Sequence, residues 1–185
     1  RHEATSFAMD TIMTFVVIHE DGDEIIIDAE QRIRQLENLL SITLEDSEIS
    51  KLNAAAGKEV VEVSKDTWIL LEAGKNLGAG TGGAFDVAIS PVVKAWGFTE
   101  AEHHVPTQAE LDTLLPLTNP DDVILDKMTV FLEKEGMAVD LGGITKGYAS
   151  DEVASLLKGK GVESAIVSLG GAYMTLAFTP TWIDN

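Results

Sequence analysis

The chain contains no cysteine, which removes disulfides, thiolate nucleophiles and Cys-ligated zinc from its chemistry. Cations are scarce, 13 Lys and Arg against 31 Asp and Glu, and the formal charge is −18. Affinity for a phosphate backbone needs clustered Lys and Arg, so nucleic acid is excluded as a partner. A phosphate-bearing small ligand must instead be held by a local device: a helix end, a single Lys or a metal ion. No apolar run approaches the roughly 20 residues that span a bilayer. The longest, near Ile12–Ile18 and Ala165–Leu169, have strand length. Walker, G-x-S-x-G, H-E-x-x-H and EF-hand signatures are also missing. GAGTGG at 78–83 comes nearest to a dinucleotide fingerprint but follows an expected helix, not a strand.

What is present is a folding composition: 45% hydrophobic and 24% charged residues in a 185-residue chain, enough for one domain or two small ones sharing a core. The pattern predicts a polar lead-in, then a strand at Ile12–His19. Asp21 and Glu24 form a capping-box pair opening a helix whose buried positions Ile25, Ala29, Ile33, Leu36 and Leu40 share one face. A short helical turn follows with Ser47 or Ser50 as cap, Ile49 and Leu52 inward and Asn53 at its end. Val60–Val63 reads as a strand, Lys65–Leu77 as a helix capped by Ser64, and Pro91 opens a helix carrying Val92, Val93 and Trp96. Thr107 and Glu110 make a second capping box. Val123–Leu125 and Thr129–Leu132 form a hairpin around Asp126-Lys127. Ala138–Leu141 is a strand, Gly142-Gly143 a turn, 145–158 a helix, and Ala165–Leu169 and Tyr173–Phe178 are strands. Helices interspersed with hairpins define an α+β class.

Three stretches concentrate glycine: GAGTGGAFD, VDLGGITKG and SLGGAY. In Met137–Asp151 a strand, a glycine turn and a helix start carrying Lys146 would present backbone N–H groups and positive charge to an anion. Read locally, it serves equally as a tight strand-to-helix connection. Asp86 sits in the apolar run Phe85–Ile89, where a carboxylate needs solvent, a hydrogen bond or a ligand. AFDVAIS and AVDLGGI each place an Asp after a small–apolar pair, a hint of internal duplication. His103 and His104 lack a third ligand nearby and read as surface-loop residues.

FAMDTIMTF, LLS…DSEISKLN, GGAFDVAISPVVKAWGF, VDLGGITKGYASDEV and SLGGAY occur in the order and approximate spacing of the ApbE family of FAD:protein FMN transferases. The resemblance runs from about Met9 to Tyr173. It implies a duplicated, T-fold-like α+β architecture that binds FAD, with 1–185 as one ApbE-type domain. It also implies Mg²⁺-dependent cleavage of the FAD pyrophosphate, transfer of FMN to a Thr or Ser hydroxyl of an acceptor protein, and release of AMP. The acceptor would be a flavin-carrying subunit of a membrane redox complex. The transferase would be an extracytoplasmic lipoprotein, periplasmic or on the outer face of the cell membrane, its lipid anchor upstream of Arg1.

By the same resemblance Met9, Asn53, Ala84, Phe85, Asp86, Trp96, Asp140 and Lys146 contact FAD, and the Thr145 main-chain carbonyl reaches the metal. The residue types suit those roles: carboxylates accept from ribose or adenine, Lys146 offers a point charge, and Trp96 offers a flat wall. Departures from the family pattern are Asp10 for Gly, Ala88 for Thr, Thr145 for Ala, and Ala172 where Gly-Gly-Asn is typical. The family continues past SLGG into a His and an Asp-x-x-x-Thr metal segment, so the chain is expected to be C-terminally incomplete. The alternative is a shortened, non-catalytic member that binds FAD or a partner protein.

Overall fold

The structure is a computed structural model and describes residues 1–98 and 103–176. In chain order the elements are β1 (His2–Ala8), β2 (Thr11–Ile18), α1 (Gly22–Leu40), α2 (Glu48–Ala54), β3 (Val61–Glu62), α3 (Lys65–Gly80), α4 (Ser90–Ala95) and α5 (Gln108–Leu114). Two 3-10 turns (Leu115–Leu117, Pro120–Asp122) lead to β4 (Val123–Asp126), β5 (Thr129–Leu132), α6 (Gly142–Gly159), β6 (Ser164–Leu169) and β7 (Ala172–Leu176). The class is α+β, and both sheets are antiparallel. The chain divides into two compact units: Arg1–Glu37 with the described residues from Thr145 on, and Asn38–Ile144.

In the first unit the sheet runs β1-β2-β6-β7. Period-2 alternation puts Met13, Phe15 and Val17 of β2 and Ala165, Val167 and Leu169 of β6 on the buried face. The opposite face exposes Ile12, Ile166 and Tyr173, with Phe7 paired to Ile12. Buried stripes of α1 (Ile25, Ala29, Ile33, Leu36) and α6 (Ala149, Val153, Leu157) complete this core. The two helices are tied by Arg32 donating to Glu152 Oε2 at 2.6 Å, and Lys160, just past the end of α6, pairs with Asp28 of α1 at 2.7 Å. β1 corrects the expected polar lead-in. Its outward residues Glu3, Thr5 and Phe7 are exposed and most of its inward ones only half-buried, so it carries no hydrophobic run to announce it. The expected box at the start of α1 is also different: the Asp21 N–H donates to His19 Nδ1 at 3.1 Å.

In the second unit the sheet is β3-β5-β4. The β4–β5 turn centres on Lys127-Met128, both at positive φ (46° and 68°), one residue later than expected. Ser47 caps α2 by accepting the Ser50 N–H at 2.9 Å, and Ser64 caps α3 by accepting that of Thr67 at 3.3 Å. The Glu48 carboxylate accepts from the Ser64 N–H and from the hydroxyls of Ser64 and Thr67, which locks the start of α3 to α2. Thr107 and Glu110 form the expected box on α5.

Two expectations for 138–143 are corrected. Met137–Leu141 is buried except at half-buried Asp140 but pairs with no described strand. Val139 bonds the Asn53 side chain and the Asp140 N–H the Val87 carbonyl. Gly142 and Gly143 are not a turn but the first residues of α6. Residues 177 and 178 of the expected last strand, and the tail after them, lie outside the described residues.

Candidate functional site

The site is built on α3. Gly74 and Gly78, one helical turn apart, are buried. A Cβ at Gly74 would overlap Val87 Cγ1, and one at Gly78 would lie 2.8 Å from the Phe85 carbonyl oxygen. Lack of side chains at these two positions lets the backbone of Phe85–Ala88 lie flush on the helix. Ala84 is exposed, Phe85 and Asp86 are half-buried, and Val87 and Ala88 are buried. The segment thus leaves its apolar run inside and offers its first three residues outward.

Asp86 Oδ1 accepts the Ala88 N–H at 2.8 Å. Burial pushes the Asp86 carboxyl above its ordinary value, opposed by that N–H. The next carbonyl, of Val87, accepts the Asp140 N–H at 2.8 Å. Asp140 repeats the Asp86 arrangement: its Oδ1 accepts the Gly142 N–H, also at 2.8 Å. Each carboxylate therefore spends one oxygen on the N–H two residues ahead. Among the described residues the other oxygen of each accepts no hydrogen bond and remains for a donor from outside. The twin Asp motifs seen in the sequence are twin Asx turns in the structure.

Asn53 holds the second of these segments. Its Nδ2 donates to the Val139 carbonyl at 3.0 Å and its Oδ1 accepts the Val139 N–H at 2.7 Å. Beyond Asp140, α6 opens with Gly142-Gly143-Ile144-Thr145. A Cβ on Gly143 would stand 2.9 Å from the Phe85 ring, so the bare glycine admits that ring to the helix start. Asn53, Phe85, Asp86 and Asp140 are thereby joined by named contacts within one unit. Trp96, at the C-terminal cap of α4, lies apart from those contacts. It stacks on the exposed Phe98 with ring centroids 5.9 Å apart and planes 4° from parallel, and His103 tilts against Phe98.

The other expected residues belong to the first unit. Lys146 is half-buried in the early part of α6, and its ammonium forms no ion pair among the described residues. Thr145 is buried. In a regular helix its carbonyl accepts the N–H of residue 149. Met9 and Asp10 make the β1–β2 turn at positive φ, 49° and 54°. The Met9 N–H donates to Glu37 Oε1 on α1 at 2.6 Å.

Glu37, Val87 and Phe98 were not singled out in the sequence. Glu37 and Val87 act through contacts that no local pattern announces. Phe98 was legible only as part of Trp-Gly-Phe. No group of three or more His, Asp or Glu among the described residues could hold a metal ion. The described residues by themselves supply no full side-chain ligand set for Mg²⁺. His103 bonds the Gly97 carbonyl and His104 pairs with Glu110, both as loop residues.

The Asp140 N–H bond to the Val87 carbonyl thus joins the two Asx turns, one of them at the glycine-rich start of α6. The chain belongs to the ApbE family, whose model matches residues 9–183. It is 40% identical over 148 residues to the FAD:protein FMN transferase of Klebsiella pneumoniae (strain 342), covering 79% of this chain and 47% of that protein. It is 34% identical to that of Treponema pallidum (strain Nichols) over 78% of this chain and 42% of that one. Among solved structures, the apo flavinyl transferase ApbE of Pseudomonas stutzeri superposes with a TM-score of 0.87 at 26% identity. That match takes in 94% of this chain and 60% of the Pseudomonas one. The Thermotoga maritima ApbE protein gives a TM-score of 0.87 at 30% identity, over 95% and 58%. The chain spans about half the length of the curated relatives it matches.

Proposed function

We propose that this chain is the FAD-binding part of an FAD:protein FMN transferase. The observation that carries the reading is the pair of Asx-turned carboxylates, Asp86 and Asp140, each with one oxygen left to accept from the ligand. Ribose hydroxyls and the adenine amino group are the donors that FAD supplies. Lys146 meets the pyrophosphate as a point charge, which matters in a chain at −18. The stack of half-buried Trp96 on exposed Phe98 offers a flat aromatic wall. Ala84, Phe85 and Met9 complete the set of FAD contacts.

In the reaction the acceptor Ser or Thr oxygen bonds to the FMN phosphorus, and the pyrophosphate bridge to AMP breaks. AMP leaves with the bonding pair and the hydroxyl proton passes to solvent. Mg²⁺, when bound, would supply charge neutralisation at the phosphates, and the Thr145 carbonyl would be one donor toward it from this chain. The acceptor is a flavin-carrying subunit of a membrane redox complex. Action on such a subunit suits an extracytoplasmic, lipid-anchored protein. No helix among the described residues is long and apolar enough to cross a membrane.

Titrating FAD into the chain and following flavin fluorescence tests the pocket. Quenching should saturate, and Asp86→Ala, Asp140→Ala and Lys146→Ala should each weaken it by about tenfold or more, the scale of a lost charged hydrogen bond. No quenching by the wild-type chain, or equal quenching by all variants, would contradict the pocket.

A further inference from the structure

We propose that Asn53 is a positioning residue whose side chain stands in for a β-strand and sets the register between Asp86 and Asp140. The inference rests on the flavin reading above, and it gives Asn53 a different task from touching the flavin nucleotide.

Met137, Ala138, Val139 and Leu141 are buried, Val139 and Leu141 fully so, and the segment pairs with no described strand. A backbone in that setting must find partners for its N–H and C=O groups or bear the cost of burying them. A primary amide carries one donor edge and one acceptor edge, the same pair a neighbouring strand residue presents. Asn53 applies both to a single residue, taking the Val139 N–H at 2.7 Å and giving its Nδ2–H to the Val139 carbonyl at 3.0 Å. Asp or Ser could supply only part of this, and Gln would place the amide one carbon too far along.

The consequence falls on the next residue. With Val139 pinned to α2, the Asp140 N–H is delivered to the Val87 carbonyl at 2.8 Å. Val87 directly follows Asp86. The two Asx turns are thus locked against each other through one side-chain clamp and one backbone bond, Asn53–Val139 and Asp140–Val87. Neither bond involves a carboxylate. The clamp leaves Asp86 Oδ2 and Asp140 Oδ2 free for a ligand while fixing where both point. A ligand that bridges the two carboxylates is sensitive to errors in that register of about an ångström.

The test combines amide hydrogen exchange with a double-mutant cycle on FAD affinity. The proteins are the wild-type chain, Asn53→Ala, Asn53→Asp, Asp140→Ala and the Asn53→Ala/Asp140→Ala pair. Asn53→Asp keeps the acceptor edge and sets a carboxylate against the Val139 carbonyl, so it breaks the clamp with little change of shape. Exchange at Val139 and Asp140 should quicken by roughly tenfold or more in both Asn53 variants, while the β4–β5 amides keep their protection. FAD affinity should fall by about tenfold in Asn53→Ala, yet show no further loss when that change is added to Asp140→Ala, because both act through one carboxylate. Independent, additive losses would mean that Asn53 touches the ligand itself, and would overturn the proposal. Unchanged exchange at Val139, or loss of protection throughout β4–β5 in both variants, would overturn it too. If the wild-type chain bound no FAD, the flavin reading would fall, and the exchange result alone would decide the clamp.

Discussion

At the scale of single residues, backbone geometry explains one family departure and leaves a visible cost. The β1–β2 turn needs positive φ at both Met9 and Asp10, a conformation in which glycine is at ease and most L residues are strained. The family's usual Gly at position 10 therefore answers a turn requirement, and Asp is among the better substitutes. Asp10→Gly should stabilise the chain by about 0.5–1 kcal/mol in a urea melt; a loss of stability would show that the Asp10 side chain contributes to the turn. Gly74 has the opposite constraint, because any Cβ there meets Val87. Gly74→Ala should cost about 1–3 kcal/mol and weaken FAD binding by displacing Asp86, as paired melts and titrations would show. Asp86 itself carries a pH signature. Its folded value lies above 3.8 because of burial, so its contribution to stability is full below that value and is lost as pH rises through the folded one. Ligand binding needs the carboxylate and runs the other way. FAD affinity should fall as pH drops through the raised value, and Asp86→Asn should flatten that dependence. The Asp at 86 was visible in the sequence as an anomaly in an apolar run. The Val87 carbonyl that aligns it was not, since any residue supplies a carbonyl.

At the scale of elements, what the sequence made legible was local chemistry. Ser64 and the Thr107–Glu110 box cap the helices expected of them, and of Ser47 and Ser50 it is Ser47 that caps α2, because a cap is decided within four residues. At α1 the neighbouring His19 takes the Asp21 N–H in place of the expected box. The misreadings share a cause. Ala138–Leu141 looks like a strand, but its partner is a side chain from α2, far away in sequence. Gly142 and Gly143 look like a turn, but they begin α6 and admit the Phe85 ring. β1 has too little apolar content to be seen without its hairpin partner. The capping box of α5 gives a test at this scale. Two contacts with Thr107 and one with His104 hold Glu110 at about 2 against its ordinary 4.5. The box therefore contributes fully above 4.5 and is lost as pH falls toward 2, with the sign expected for a depressed carboxyl. Amide exchange at Thr107 should quicken across that window, and Glu110→Gln should remove the pH dependence. On α6, Gly147 has open space where a side chain would stand. Gly147→Ala should raise helix stability by about 0.5–1 kcal/mol. If the ligand approaches Lys146 along that surface, the same change should weaken FAD binding, so a variant both more stable and weaker in affinity is the expected outcome.

At the scale of the whole molecule, fold class and family were legible because the motifs are long and ordered along nearly the entire chain. The α+β class, the antiparallel sheets and the ApbE likeness agree. The geometry of the site was less legible, for its two best-defined carboxylates are related by contacts across the chain rather than by spacing. The charge of −18 adds a physical demand: a phosphate-bearing ligand approaches a strongly acidic protein against long-range repulsion. FAD binding should accordingly strengthen with added salt, as screening reduces the long-range repulsion. Incubating the whole protein with FAD, Mg²⁺ and an acceptor flavoprotein, then measuring AMP and acceptor-bound flavin together, decides whether the pocket serves FMN transfer. One AMP should be released for each FMN fixed to an acceptor hydroxyl, with both lost in Asp86→Ala and Asp140→Ala. AMP without bound flavin, or bound flavin that persists in both variants, would contradict that role.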